Sequence, residues 1–319
     1  MFPTWASLAI LAIALAWPVP IILARAEWPS RAPATALIVW QSIALTGGLS
    51  MIGALLSYGL EPFGNNLVEG LRALPDALVG GALPRGTTFA QMFSLSGAIL
   101  LGIHLLLTLA MTFVRAERSR RRHRRLVTLL SAPMPERPDT RLLDHEAPVA
   151  YCLPGTTRSI TVLSAGLMTL LDEEQLRAVI AHEQAHATQR HHLLLLAFRA
   201  WRGSLPWFPI ATRAHEAVAI LIEMLADDQA RQLVSNEVLV TSIALVASES
   251  GVDATGQASP LETEPHNALS ADSPSASRRI ARLVGTATPL DAPSRVLAIV
   301  LAVALVAVPT VLLLWPAFE

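Results

Sequence analysis

Residues 91–125 read QMFSLSGAILLGIHLLLTLAMTFV and then RAERSRRRHRR. The first part carries no formal charge over 24 residues. As a helix rising 1.5 Å per residue it reaches about 36 Å, enough for a hydrocarbon core of roughly 30 Å. The second part holds seven arginines in eleven residues. A basic run directly after an apolar span stays on the cytoplasmic side and touches anionic lipid, so it reads as a topology anchor rather than a nucleic-acid contact. Three further stretches lack charge: 1–24, 32–60 and 296–318. The first is read as a retained helix and not a cleaved signal peptide, because no positive charge precedes it. Predicted spans are thus about 4–24, 34–60, 91–114 and 296–319. Both termini fall outside, and residues 115–295 form one cytoplasmic domain.

Composition agrees with this division. Of 319 residues 52% are hydrophobic and 15% charged, with mean hydropathy +0.47 and net charge -1. Soluble domains average about 25% charged residues. Only eight of the charged residues lie in 1–114, whereas 40 lie in 115–295. An ordinary soluble enzyme, a disordered chain and a disulfide scaffold are all disfavoured. Cys152 is the only cysteine, which excludes an internal disulfide and a cysteine-based zinc cluster.

Within the polar segment, 131–148 is rich in proline and charge and reads as a linker. Val149–Leu153 and Ser159–Leu163 read as short strands interrupted by Pro154-Gly155. Asp172 with Gln175 three residues later is a helix-capping pattern. The helix that it opens contains LRAVIAHEQAHATQRHH. Helices follow at about 212–233 and 237–248, then a mobile loop at about 250–277. Residues 193–209 (LLLLAFRAWRGSLPWFP) suit equally a core beneath the preceding helix or a segment at the membrane interface.

His182-Glu183-Gln184-Ala185-His186 is an H-E-x-x-H sequence in mid-helix. At i and i+4 the two imidazoles share one face, so a single zinc can bind both. Glu183, about 100° away round the helix, can reach an activated water as general base. A third ligand is expected from another helix. Glu223 sits among Ile222, Met224 and Leu225, where an unpaired carboxylate would be costly. Asp227 lies one turn on, placed to hydrogen-bond a ligand histidine. His191 and His192 are read as continuing the same helix; His191 falls nearly opposite His182, so neither is expected to be a ligand. His215 is a weak candidate for oxyanion stabilisation, and His104 is expected to bond a neighbouring helix.

The helix IAHEQAH followed by E-x-x-A-D resembles the gluzincin-type integral-membrane metallopeptidases. Three spans before the catalytic segment and one after it resemble the BlaR/MecR family of sensor-transducers and antirepressor proteases. The lead-in SITVLSAGLMTLLDEEQLRAVIAH is similar as well. The resemblance implies a mainly α membrane protein with an inserted α+β zincin-like cytoplasmic metallopeptidase domain. It implies Zn2+ held by His182, His186 and Glu223, with Glu183 as catalytic base and Asp227 behind a ligand. The implied partner is a cytoplasmic protein or peptide substrate, such as a transcriptional repressor, with the lipid bilayer as surroundings. No direct nucleic-acid binding is expected, and a homo-oligomer stays open. The sensor-type chains continue past their last span into a penicillin-binding region; this sequence contains no Ser-x-x-Lys motif, so direct β-lactam sensing is not expected. Ser159, Ile160, Thr161, Val162 and Leu163 are expected to offer a strand edge to the substrate. Two alternatives share the motifs: an HtpX-like quality-control protease, and a non-enzymatic signalling protein with structural zinc. An intact Glu183 disfavours the second.

Overall fold

The computed structural model describes residues 3–81, 83–153, 159–204, 209–252, 274–285 and 288–314. Proline sets the first break. Helix α1 (Thr4–Ala16) ends at Trp17, and α2 (Pro18–Arg25) restarts with Pro18 at its first position, where a missing N–H costs nothing. Then come α3 (Trp28–Arg31), α4 (Pro33–Leu60), α5 (Leu67–Gly80) and α6 (Phe89–Leu130). Four strands follow: β1 (Ser131–Met134), β2 (Arg137–Leu143), β3 (Ala150–Leu153) and β4 (Ile160–Ser164). Helices α7 (Ala165–Leu170), α8 (Glu173–Thr188), α9 (His191–Ser204), α10 (Pro209–Ala230), α11 (Asn236–Val252), α12 (Pro274–Val284) and α13 (Ala292–Leu314) complete the described chain.

Four helical stretches are long and apolar enough to cross a membrane: Thr4–Arg25, Pro33–Phe63, Phe89–Leu130 and Ala292–Leu314. The third runs without interruption from its apolar part through the arginine run. Along it Leu100, Ile103, Leu106 and Leu107 are exposed, as lipid-facing side chains would be. The chain divides into two units. One comprises Met1–Ala110, Phe198–Ala217 and Leu290–Glu319. In it α4 packs along α1 and α13. Gly59 lets α4 approach α6 closely, since a Cβ there would lie 2.8 Å from the backbone nitrogen of Leu95. His104 bonds the backbone oxygen of Ser204 through Nε2 at 3.2 Å, the neighbouring-helix partner expected of it.

The second unit comprises Met111–Ala197 and Val218–Pro289. Its sheet has the order β1-β2-β4-β3. Strand β4 pairs parallel with β2 and antiparallel with β3. Being central, it is buried on both faces. Val162 packs with Val127, Leu143 and Leu153 on one side, and Leu163 with Leu167, Leu176 and Val179 on the other. Helix α8 packs on β3 and on α11, and α11 carries α12.

Three expectations change here. Residues 131–148 are not simply a linker, because β1 and β2 lie within them. Their charge misleads: Arg141 is fastened to Ser131 Oγ at 2.8 Å and to the Thr128 oxygen at 3.0 Å, and β2 is held by its long-range partner β4. Residues 159–163 offer no edge, since both neighbours of β4 are taken; among the described residues the edge strand that α8 packs on is β3. Helices α11 and α12 also reach into the expected loop from both ends, and 253–273 lie outside the described residues, as do Pro154-Gly155, Pro206 and Trp207. Helix α9 covers much of 193–209, and its residues from Phe198 on group with the apolar helices.

Candidate metal centre

Helix α8 starts where the sequence said it should. Asp172 Oδ1 accepts from the backbone N–H groups of Glu174 (2.9 Å) and Gln175 (2.8 Å), and Gln175 Oε1 accepts from Asp172 N–H (3.1 Å). This reciprocal cap fixes the helix register, and with it which face carries the two imidazoles. The small residues Ala178, Ala181 and Ala185 are fully buried along α8, so His182 and Glu183 sit deep, at 4% and 9% exposure.

Glu223, on α10, meets them. His182 Nε2 lies 3.3 Å from Glu223 Oε2, and His186 Nε2 lies 3.4 Å from Glu223 Oε1. The two Nε2 atoms stand 3.2 Å apart. One donor atom from each of His182, His186 and Glu223 lies within 4.8 Å of the others.

The proton positions give this cluster its meaning. His182 Nδ1 is 3.0 Å from Asp227 Oδ1. A carboxylate only accepts, so the ring donates from Nδ1, and in the neutral ring Nε2 carries the lone pair. Asp227, 1% exposed, is held ionised. Burial alone would raise its pKa, but the Arg279 guanidinium and the His182 hydrogen bond lower it further. Arg279 grips that carboxylate with both arms, Nε to Oδ2 at 2.8 Å and Nη2 to Oδ1 at 2.7 Å. Its Nη1 sits 3.2 Å from Glu223 Oε2 as an ion pair without hydrogen-bond geometry. Burial raises the Glu223 pKa, yet His186, His182 and Arg279 outweigh it and leave the carboxyl well below its usual range.

The Nε2 atoms of His182 and His186 and a carboxylate therefore converge. Such a set wants a cation. In the metal-free chain that cation is a proton. Burial and Arg279 push the His182 pKa down, but Asp227 and Glu223 prevail and carry it to about 9. The N, N, O donor set also fits a divalent zinc ion with one position left for a ligand from solution. Glu223, Asp227 and Arg279 together leave one uncompensated negative charge, which suits a dication. Beside them burial lifts Glu183 to about 7, with the charge of Glu223 adding to it and His182 and Arg279 opposing. Its carboxylate accepts from the backbone N–H of Cys152, in β3.

The structure thus brings together His182, Glu183, His186, Glu223 and Asp227. It does not bring Ser159–Leu163 to the cluster as an edge. His215 belongs to the other unit; burial and then Arg202 and Arg199 depress it to about 4. Two participants escaped the sequence reading. Arg279, 1% exposed, was discoverable in principle, because two buried carboxylates one turn apart on α10 demand a cation. The run RRIARL at 278–283 puts Arg279 and Arg282 on one helical face, and Arg282 indeed pairs with Asp228 at 2.8 Å. The other is His191. It does not continue α8, because that helix stops at Thr188 and Arg190 takes a left-handed φ of 52°. The chain leaves the α8 helix there, and His191 Nδ1 comes within 3.0 Å of His186 Nδ1.

Comparison with known families finds one match: residues 114–205 match the model of peptidase family M48. The matched segment contains both histidines and Glu183 and stops before Glu223. This part of the chain is similar to that metallopeptidase family. No curated protein and no solved structure matches the chain.

Proposed function

We propose that the protein is a multi-pass membrane zinc endopeptidase. The observation that carries this reading is the convergence of His182 Nε2, His186 Nε2 and the Glu223 carboxylate, next to a buried carboxyl tuned to about 7. Similarity of 114–205 to peptidase family M48 supports it. Zinc, when bound by His182, His186 and Glu223, would supply a Lewis acid that polarises a carbonyl and acidifies water. Glu183 takes the proton of the attacking water and delivers it to the leaving amine, a task suited to a pKa near working pH. Arg279 and Asp227 hold His182 in the tautomer that leaves Nε2 free. The outer edge of β3, where Glu183 already meets the Cys152 N–H, is the strand on which an extended peptide would lie.

The arginine run after the third apolar stretch supports a cytoplasmic side for residues 115–295, with both termini outside. The substrate is then a cytoplasmic protein. The resemblance to antirepressor proteases makes a transcriptional repressor the narrower reading. A membrane quality-control protease, with many unfolded substrates, suits the M48 match equally. Proteomics of cells expressing wild type or Glu183→Gln separates the two. One repressor-derived product lost in the variant supports the first, many membrane-protein products lost support the second, and identical peptide profiles contradict peptidase function.

A further inference from the structure

His191 opens α9 with its ring 2% exposed. It makes two contacts. Its Nε2 lies 2.9 Å from Gln189 Oε1, and its Nδ1 lies 3.0 Å from His186 Nδ1. An amide oxygen can only accept, so the proton of the first contact belongs to His191 Nε2. A neutral imidazole protonated there has a bare Nδ1. The proton between the two rings must then sit on His186 Nδ1. His186 is fixed as the Nδ1–H tautomer, and its Nε2 lone pair faces His182 Nε2 and Glu223 Oε1.

We propose that Gln189 and His191 form a tautomer lock on His186, making both of them positioning residues for the metal. The inference rests on the zinc reading above and extends it to the second histidine. Asp227 does the same for His182, but with a negative charge. A second carboxylate behind His186 would add to the negative charge already buried at the site. His191 accepts the hydrogen bond without that cost. The two ligand rings consequently differ: His182 is backed by an anion and His186 by a neutral ring, so His182 is the stronger donor. The lock also explains the left-handed Arg190. Gln189 meets His191, and His191 meets His186, across Arg190, where the chain leaves the helix.

The test is zinc affinity of the full chain in detergent micelles, by competition with a chromogenic chelator. His191→Phe preserves ring packing and removes the acceptor. His191→Asn places a carbonyl oxygen where Nδ1 stood. The lock predicts that His191→Phe weakens zinc binding about 10- to 100-fold, while His191→Asn stays within roughly 3-fold of wild type. Wild-type affinity in His191→Phe, or equal losses in Phe and Asn, would overturn it. Should His191→Phe fail to fold, Gln189→Met carries the test: weaker binding supports the lock and unchanged binding overturns it. His182→Ala distinguishes the two levels. If that variant binds zinc as the wild type does, the metal reading itself falls and takes the lock with it.

Discussion

At the scale of single residues, Glu183 and Arg279 carry opposite burdens. Glu183 is a carboxyl kept at 9% exposure, with its pKa raised from 4.5 to about 7. A raised carboxyl favours the fold below the unfolded value and loses that contribution as pH climbs through the folded value. In chelator-treated protein, Glu183→Gln should therefore melt higher than wild type at pH 8, by on the order of 3 kcal/mol, with the gap closing towards pH 4.5. The same substitution should cut peptide turnover by at least about 100-fold. Stability gained with activity lost marks a residue kept for chemistry; a variant less stable than wild type at pH 8 would contradict this. Arg279 is the reverse case. It is buried against Asp227 with two hydrogen bonds, and removing one partner of such a pair strands the other. Arg279→Met should destabilise the fold by about 3–5 kcal/mol, read by denaturant unfolding, and should weaken zinc binding through the loosened His182. A change below about 1 kcal/mol, the worth of a surface pair, would show that the pair is solvated.

At the scale of elements, what could be read in advance follows from how local each signal is. The cap at Asp172, the i, i+4 imidazoles of α8 and the Glu223/Asp227 pair one turn apart on α10 are short-range patterns, and all were legible. Arg279 reaches Asp227 across 52 residues of sequence, so only an argument about uncompensated charge could have pointed to it. Strands β1 and β2 were missed because β2 takes its place from a parallel partner, β4, and not from its own alternation. A 3.6-residue period carried past Arg190 sets His191 opposite His182, but the backbone leaves the helix at Arg190. Among the apolar helices, Gly59 sets the contact between α4 and α6. Gly59→Val would drive a side chain into the backbone of Leu95, 2.8 Å from the Cβ position. Overpacking of this kind costs about 1–3 kcal/mol, so a lower melting temperature in detergent is expected; an unchanged one would mean that the two helices are not in firm contact.

At the scale of the whole molecule, charge is sorted along the chain. Residues 1–114 carry eight of the charged residues, while residues 115–295, from the arginine run up to the last apolar stretch, carry 40. Within that segment the α10 carboxylates Glu223 and Asp227 face one buried arginine, Arg279, and are short by one positive charge. The account stands on that deficit being met by a metal. Its most direct test is the zinc content of the purified full chain by elemental analysis, for wild type, Glu183→Gln, His182→Ala and Glu223→Ala. About one zinc per chain is predicted in wild type and in Glu183→Gln, with loss in the other two. Zinc retained equally in all four proteins, or absent from wild type after reconstitution, would contradict it.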